Sequence, residues 1–180
     1  MPSTTETRKA FDKFRKQIGA PRDPDAALIR NTDETRQMTE EEGLETWIDG
    51  TTKSSGVPDS PPLLEAKDCV DQSLWVIRQD DVVHAKENCA FGKGLASGVI
   101  KHTNLTGGAK AYSGGELLFL DPHTMVVNGR SGRYGPRTKA ELSAAAQAFA
   151  DSGYRVWYMG WDEETNRPAP FVGLAPQLIA

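Results

Sequence analysis

The sequence predicts an α+β fold in which one long helix packs on a mostly antiparallel sheet of four or five strands. Short runs rich in aromatic and β-branched residues follow one another closely and are separated by turn residues. One segment, residues 138–152, has the apolar spacing of a helix. Residues 1–62 are polar and acidic with little to bury, so we expect a loosely attached, partly helical N-terminal arm and linker before a single domain over residues 63–180.

Two short helices are expected in the arm. Residues 6–18 place Phe11, Phe14 and Ile18 on one helical face. Residues 39–48 begin with Thr39 and Glu42, which have the spacing of a capping box. The stretch over residues 50–62 is composed of Ser, Thr, Gly and Pro with almost nothing to bury, which is typical of a linker.

In the domain, residues 82–95 are expected to form a short helix, and Asp121-Pro122 is expected to form a hairpin turn. The expected strands are residues 73–78, 97–104, 114–120, 123–129 and 154–160, with a last short strand near Phe171.

The long helix has the clearest signals. Thr138 is expected to cap it, and Glu141 stands three residues later, so each side chain can bond the other's backbone N–H. Gly153 supplies the C-terminal stop. The apolar positions that recur with helical spacing are Leu142, Ala145, Ala146 and Phe149.

Composition excludes several classes of protein. A formal net charge of −4 and a pI near 5.4 argue against non-specific coating of nucleic acid, which requires a basic surface. No run of 18 apolar residues is present, so no membrane span is predicted. The N-terminus lacks the apolar core of a secretory signal. We therefore expect a cytoplasmic protein, or one exported without a cleaved signal peptide.

No metal or cofactor site is predicted. The three histidines, His84, His102 and His123, have no metal-ligand spacing. The stretch from His84 to Cys89 has lysine where zinc deaminases place their glutamate, and the Pro-Cys-x-x-Cys that those enzymes need is absent from the sequence. The glycines of residues 107–115 lack the Lys-Ser/Thr ending of a P-loop.

The remaining chemical signal lies between Lys101 and Lys139. This stretch holds six basic residues and two acids, a local net charge of +4 in an acidic chain. Its segment 128–137 alternates glycine with arginine and serine just before the long helix. Glycine allows backbone N–H groups to turn inward around an anion, and arginine can bind phosphate or carboxylate through two N–H groups.

These residues suggest a site for phosphoryl chemistry. If strands 97–104 and 114–120 are neighbours, His102 and Glu116 can approach each other and exchange protons as catalytic residues. The residues expected to bind the substrate or its anion are Lys101, Arg130, Ser131, Arg133 and Tyr134. Simpler roles stay open, since His102 could satisfy a buried carbonyl, Glu116 could pair with an arginine, and Tyr134 could pack beneath the loop.

The same residues resemble a group of bacterial toxin- and effector-associated domains. The shared motifs are Lys-His-Thr/Ser-x-Leu, then Gly-Gly-Glu or Ala-Gly-Glu opening a strand, then Ser-Gly-Arg/His-Tyr closing the hairpin. Here they lie at residues 101–105, 114–116 and 131–134, within a resemblance that covers about residues 98–137. The order His, Glu, Arg, Arg, Tyr is also similar to barnase-like ribonuclease toxins, although this chain is acidic and has its histidine earlier.

These residues support three hypotheses of function. The first is a small bacterial toxin or effector domain that acts on nucleic acid or a nucleotide phosphate. The second is ADP-ribosyl transfer from NAD, although Glu116 precedes Tyr134, the reverse of the usual order. The third is a non-enzymatic binding module, an immunity or adaptor protein, whose arginine loop binds an acidic partner and whose acidic arm covers a basic one.

Overall fold

A mixed seven-stranded sheet forms the centre of the structure, a computed structural model that describes residues 5–50 and 60–179. Four helices surround the sheet: α1 (Thr5–Ile18), α2 (Ala90–Lys93), α3 (His102–Thr106) and α4 (Lys139–Asp151). The strands are β1 (Glu45–Thr46), β2 (Ser73–Ile77), β3 (Val82–Lys86), β4 (Ser113–Asp121), β5 (Thr124–Asn128), β6 (Arg155–Tyr158), β7 (Trp161–Asp162), β8 (Arg167–Pro168) and β9 (Gln177–Leu178).

The strand order across the sheet is β1-β3-β2-β4-β5-β6-β9. Every neighbouring pair is antiparallel except β5 and β6, which run parallel and are connected through α4. Strands β7 and β8 form a separate two-stranded ribbon. The α+β class is confirmed, and the sheet has more strands than expected because two-residue strands extend both of its edges.

One face of the sheet packs against two helices. Alternate residues of the central strands, such as Trp75 and Leu117, point toward α1 and α4, where Phe149 is fully buried. The ring of Phe149 makes edge-on contacts with Phe11 and Trp75, each with ring centroids 5.1 Å apart. This side of the sheet holds the largest part of the hydrophobic core.

The opposite face of the sheet carries the loops that form the candidate site. Leu74 and Val76 of β2 point to this side, where they pack with Leu105 of α3 and with Tyr134. The neighbouring end of the same face is covered by a third apolar group that includes Trp157 and Phe171. Residues at even positions of β4, including Gly114 and Glu116, share this face with Leu74 and Val76.

The N-terminal segment packs more closely than the loose attachment that its composition predicts. Phe11 and Phe14 of α1 are each 1 % exposed and belong to the main core. Asp49 accepts hydrogen bonds from the backbone N–H groups of Thr7 and Glu6 and so caps α1. Trp47 donates to the Ser152 hydroxyl at the end of α4. Residues 5–50 are thus part of the same packed unit, whereas most of the expected linker, residues 51–59, lies outside the described residues.

The long helix and the hairpin are confirmed. Thr138 accepts from the Glu141 N–H at the start of α4, and Gly153 follows its end with a φ of 102°. The Glu141 side chain does not return to Thr138, as the capping box would require, but binds Arg22 and Ser113. All four of the expected apolar positions are buried. β4 and β5 form the hairpin, whose turn is stabilised by the Asp121 carboxylate accepting from the backbone N–H of His123.

Three expected elements are wrong. Residues 82–86 of the expected helix 82–95 form β3 instead, because this stretch pairs with a strand on each side in the sheet, and only residues 90–93 are helical, as α2. The expected strand 97–104 does not form: Gly98 lies in a turn at φ 77°, and residues 102–104 belong to the short helix α3. The capping box of Thr39 and Glu42 is present, but it opens a single helical turn, residues 40–42, that Gly43 ends at φ 110°.

At the C-terminus, the expected strand near Phe171 is reduced to an isolated bridge between Val172 and Leu64, and the last strand is β9. No helix in the described ranges is long and apolar enough to cross a membrane.

Candidate anion-binding site

Residues 129–137, here called the glycine–arginine loop, connect β5 to α4. Side chains fold this loop by accepting from its backbone N–H groups: Asn128 accepts from Arg130 at 3.0 Å, and Ser131 accepts from Tyr134 at 3.1 Å. The Tyr134 carbonyl accepts from the Gly114 N–H of β4 at 2.8 Å. The loop is therefore held against the sheet face that carries Gly114 and Glu116.

Glycine is required in this loop because chain segments approach closely. A Cβ on Gly135 would lie 2.3 Å from the Ser131 carbonyl oxygen, and one on Gly129 would lie 2.9 Å from Leu142. The φ angles of the loop glycines are not positive. The glycines thus permit a tight fold of the loop without left-handed backbone. The sequence pattern pointed to these glycines as a means of turning N–H groups toward an anion, whereas the structure needs them for close approach of the chain.

The loop forms one wall of a cleft of about 760 Å³, here called the arginine cleft. A second wall comes from residues 22–25, which run alongside the loop, and a third from β8. The charged residues that line the cleft are Arg22, Arg130, Arg133, Arg137 and Arg167 together with Asp23, Asp25 and Glu116.

Two of the five arginines are structural. Arg133 forms an ion pair with buried Glu34 and donates to the Leu28 carbonyl at 2.7 Å. Arg22 forms an ion pair with Glu141 at 2.9 Å and donates to the Tyr112 carbonyl at 2.7 Å. Because both guanidinium groups are largely buried and already neutralised, they hold the cleft walls together. Arg133 therefore does not converge with Arg130 on one anion as the sequence suggested.

The other three arginines, Arg130, Arg137 and Arg167, are exposed. Within the described residues, none of the three forms an ion pair with a carboxylate. Their guanidinium groups are the ones that an incoming anion can bind, and each can offer two parallel N–H donors to phosphate.

Glu116 is a carboxylate of the cleft that is held by two side-chain hydrogen bonds. It lies in β4 opposite Leu74 on one side and Asn128 on the other. Its two carboxylate oxygens accept from Asn128 Nδ2 at 3.0 Å and from Gln72 Nε2 at 2.9 Å. Burial raises the pKa of Glu116, an effect that the Asn128 hydrogen bond opposes.

The hydrogen bond of the His102 ring goes to the backbone and not to the Glu116 carboxylate. Its Nε2–H donates to the Gly115 carbonyl at 2.8 Å, the residue just before Glu116. Burial lowers the pKa of His102 to about 4, so the ring is neutral near pH 7. The imidazole is not among the groups that line the cleft. The geometry favours the simpler role of satisfying a buried carbonyl over the proposed proton exchange with Glu116.

Tyr134 lies on the same face of the sheet as His102, as the site hypothesis required. A Cβ on Gly114 would be 3.1 Å from His102 Cδ2 and 3.3 Å from Tyr134 Cβ. The Tyr134 side chain, however, is 1 % exposed. Its hydroxyl donates to the Ala109 carbonyl and bonds Thr106 Oγ1, both at 2.7 Å. Tyr134 thus supports the loop from below and does not present its hydroxyl to a ligand.

Of the predicted anion-binding residues, Arg130, Ser131, Arg133 and Tyr134 line the cleft, whereas Lys101 does not. The Lys101 backbone N–H donates to Asn104 at 2.8 Å and helps to begin α3.

Sequence reasoning missed the contributions of residues 22–25 and of Arg167. The only local signal for the first is "PRDPD", in which two prolines stiffen a short segment with alternating charge. Arg167 had no signal, because its place in the cleft depends on the pairing of β8 with β7.

In the described part of the chain, no group of three or more His, Cys, Asp or Glu side chains is arranged to hold a metal ion. Comparison of the chain with protein-family models, with curated proteins and with solved structures gives no match. A functional assignment therefore depends on the chemistry of the arginine cleft itself.

Proposed function

We propose that the protein binds a phosphate-bearing ligand of the nucleotide or nucleic-acid class in the arginine cleft and acts on it through Glu116. The observation that supports this most directly is the set of three exposed arginines, Arg130, Arg137 and Arg167, on one cleft of about 760 Å³. This volume falls within the range of small-molecule sites, about 300–1,000 Å³.

Arginine favours phosphate because its planar guanidinium presents paired donors that match two phosphate oxygens. Arginines that converge on one cleft also stabilise negative charge that develops when a phosphoryl group is attacked. Three such groups around one cavity are more than a single carboxylate ligand needs, which is why a phosphate or diphosphate is the better match.

Glu116 is the proposed proton-transfer group. It lines the cleft, whereas His102 is held by the Gly115 carbonyl away from it. A carboxyl group whose pKa is raised by burial keeps its proton closer to neutral pH, which suits it to donate or accept one during phosphoryl chemistry. In this proposal Glu116 transfers the proton without His102, and the arginines stabilise the developing charge.

Binding can be measured by calorimetry with ADP and with a short single-stranded RNA. Arg130→Ala and Arg137→Ala are each expected to weaken binding about tenfold, because each removes a charge-assisted contact of roughly 1.5 kcal/mol. Arg8→Ala is the matched control, since Arg8 is exposed on α1 outside the cleft. Equal affinities for all three variants and the wild type would refute a phosphate site in this cleft.

Turnover is tested separately. The wild type should convert one of these ligands, and Glu116→Gln should abolish conversion while it retains binding. Labelled NAD and a cell lysate provide a parallel arm for ADP-ribosyl transfer. Growth arrest on expression in bacteria, relieved by Glu116→Gln, would agree with the toxin-associated resemblance.

A non-enzymatic binding module is the second candidate. The observation that favours it is the absence of His102 from the cleft lining, which separates the two groups that were expected to exchange protons. In that case Arg130→Ala weakens binding, Glu116→Gln has little effect, and harmless high-level expression is expected.

A further inference from the structure

A second cavity lies beside the arginine cleft. It has a volume of about 410 Å³ and is mainly apolar. Its lining includes Leu142 of α4, Tyr158 at the end of β6, and Trp161 of β7, with Lys139 at its rim. We call this cavity the aromatic pocket.

The ribbon formed by β7 and β8 contributes residues to both cavities. Trp161 in the aromatic pocket is paired with Pro168 in the arginine cleft, and Asp162 is paired with Arg167. Residues directly opposite in an antiparallel pair have Cα atoms about 4.5–5.5 Å apart. Trp161 and Pro168, which line different cavities, are therefore direct neighbours in the ribbon, and the two cavities are adjacent there.

The aromatic pocket is suited to a flat, uncharged ring. Tyr158 and Trp161 are partly exposed, so their side chains remain accessible. The Trp161 indole N–H donates to Asn166 at 3.2 Å, which restrains the ring, and Asn166 has a positive φ of 53° in the turn. Lys139, the charged residue at the rim, is paired with Glu163 at 3.0 Å. An anion is thus favoured in the arginine cleft, and an aromatic group in this pocket.

We propose that the aromatic pocket binds a nucleobase of the ligand whose phosphate lies in the arginine cleft. This inference rests on the proposed function and narrows it: the ligand carries a base as well as a phosphate, which excludes inorganic phosphates and sugar phosphates as its preferred class. Stacking of a base on an aromatic side chain is tolerant of base identity, so the pocket selects for a base without selecting strongly among bases. The nucleotide can be free or one unit of a single strand.

The test compares three probes by calorimetry: inorganic pyrophosphate, ADP and a short single-stranded RNA. Wild-type protein should bind ADP or the RNA about tenfold more tightly than pyrophosphate, since one stacked base contributes roughly 1–3 kcal/mol. Trp161→Ala should remove that preference and leave pyrophosphate affinity unchanged. Trp161→Phe, which keeps an aromatic face, should restore most of it. The relative affinities of ADP and the RNA distinguish a free nucleotide from a strand.

Phe119→Ala is the control for loss of a partly exposed aromatic ring, since Phe119 lies outside both cavities. If pyrophosphate binds as tightly as ADP and the RNA, or if Trp161→Ala weakens pyrophosphate to the same degree, the nucleobase pocket is overturned while the phosphate site remains. If none of the three probes binds, the proposed function itself fails.

Discussion

Arg133 and Glu34 form a buried ion pair that joins the glycine–arginine loop to a segment 99 residues earlier in the chain. Both side chains are largely withdrawn from solvent, with Glu34 2 % exposed. Burial by itself would raise the pKa of Glu34, but hydrogen bonds from Asn31 and Arg30 and the charge of Arg133 outweigh burial and lower it. The arginine that the sequence suggested as a ligand contact thus fixes one wall of the cleft.

We expect Arg133→Ala to destabilise the protein by about 3 kcal/mol, because it leaves the Glu34 carboxylate buried without its partner. Arg130→Ala, which removes an exposed arginine three residues earlier, should change the free energy of unfolding by less than about 0.5 kcal/mol. Urea unfolding of both variants measures this. Equal small effects would mean that the Arg133–Glu34 pair does not hold the loop.

Removal of the Phe11 ring should be strongly destabilising. The ring packs edge-on against Phe149 and is 1 % exposed, so Phe11→Ala creates a cavity between α1 and α4. A loss of about 3–5 kcal/mol in unfolding free energy is expected. If the N-terminal segment were loosely attached, Phe11→Ala would change the stability very little. Thermal unfolding of Phe11→Ala distinguishes these alternatives, with Lys13→Ala on the exposed face of α1 as the control.

His102 should make stability depend on pH. Its pKa is lowered from 6.5 to about 4, so the folded state binds this proton less tightly than the unfolded state. As the pH falls from about 6.5 to about 4, protonation therefore favours unfolding, by about 3 kcal/mol over the whole interval. Above this interval the ring is neutral in both states and the contribution is constant.

His102→Gln keeps a donor for the Gly115 carbonyl but cannot be protonated. Between pH 7.5 and pH 4, the wild type should therefore lose about 3 kcal/mol more unfolding free energy than this variant. Parallel curves for wild type and His102→Gln would contradict the buried, neutral imidazole.

Glu116 should make anion binding depend on pH. Because its pKa is raised, the side chain is neutral below that pKa and becomes an anion in the cleft as the pH rises through it. Sulfate, whose charge is constant in this range, should bind more weakly as Glu116 ionises. Glu116→Gln should bind sulfate with no such decline. A matching decline in both proteins would place the titrating group elsewhere.

Gly115 should tolerate no side chain. A Cβ there would lie 2.0 Å from the Asn128 carbonyl oxygen and 2.7 Å from the Trp75 ring, so Gly115→Ala should prevent stable folding. At Gly94 the nearest atom to a Cβ would be 3.5 Å away and the backbone is helical, so Gly94→Ala should be close to neutral. Circular dichroism and solubility of the two purified variants provide the measurement.

The sequence predicted well those elements whose signals are local. Thr138, the apolar positions of α4 and Gly153 act within a single helix, and the turn after Asp121 depends only on adjacent residues. The stretch from Val82 was predicted as a helix because periodicity in a short apolar run is ambiguous. Its strand conformation is decided by pairing with a strand on each side: β2, the preceding strand of a hairpin, and β1, which is distant in sequence.

The candidate site was also predicted only in part, because local sequence patterns reveal some of its residues and tertiary contacts decide the roles of the others. The cluster of glycine and arginine located the loop, because composition is visible in one stretch of chain. The neutralisation of Arg133 by Glu34 and the burial of Tyr134 result from tertiary packing that no local pattern contains. His102 was expected on a strand, whereas the chain turns into α3 at this residue.

The three walls of the arginine cleft come from residues 22–25, 129–137 and 167–168. This arrangement bears on the timing of folding during synthesis. Residues 22–25 are synthesised long before the other two segments. Arg22 cannot form its ion pair until Glu141, 119 residues later in the chain, has been synthesised. Contacts between such distant residues form late, because closing the intervening chain is entropically unfavourable. A nascent chain can therefore fold its β2–β3 hairpin early, but it acquires a complete cleft only when translation has passed residue 168.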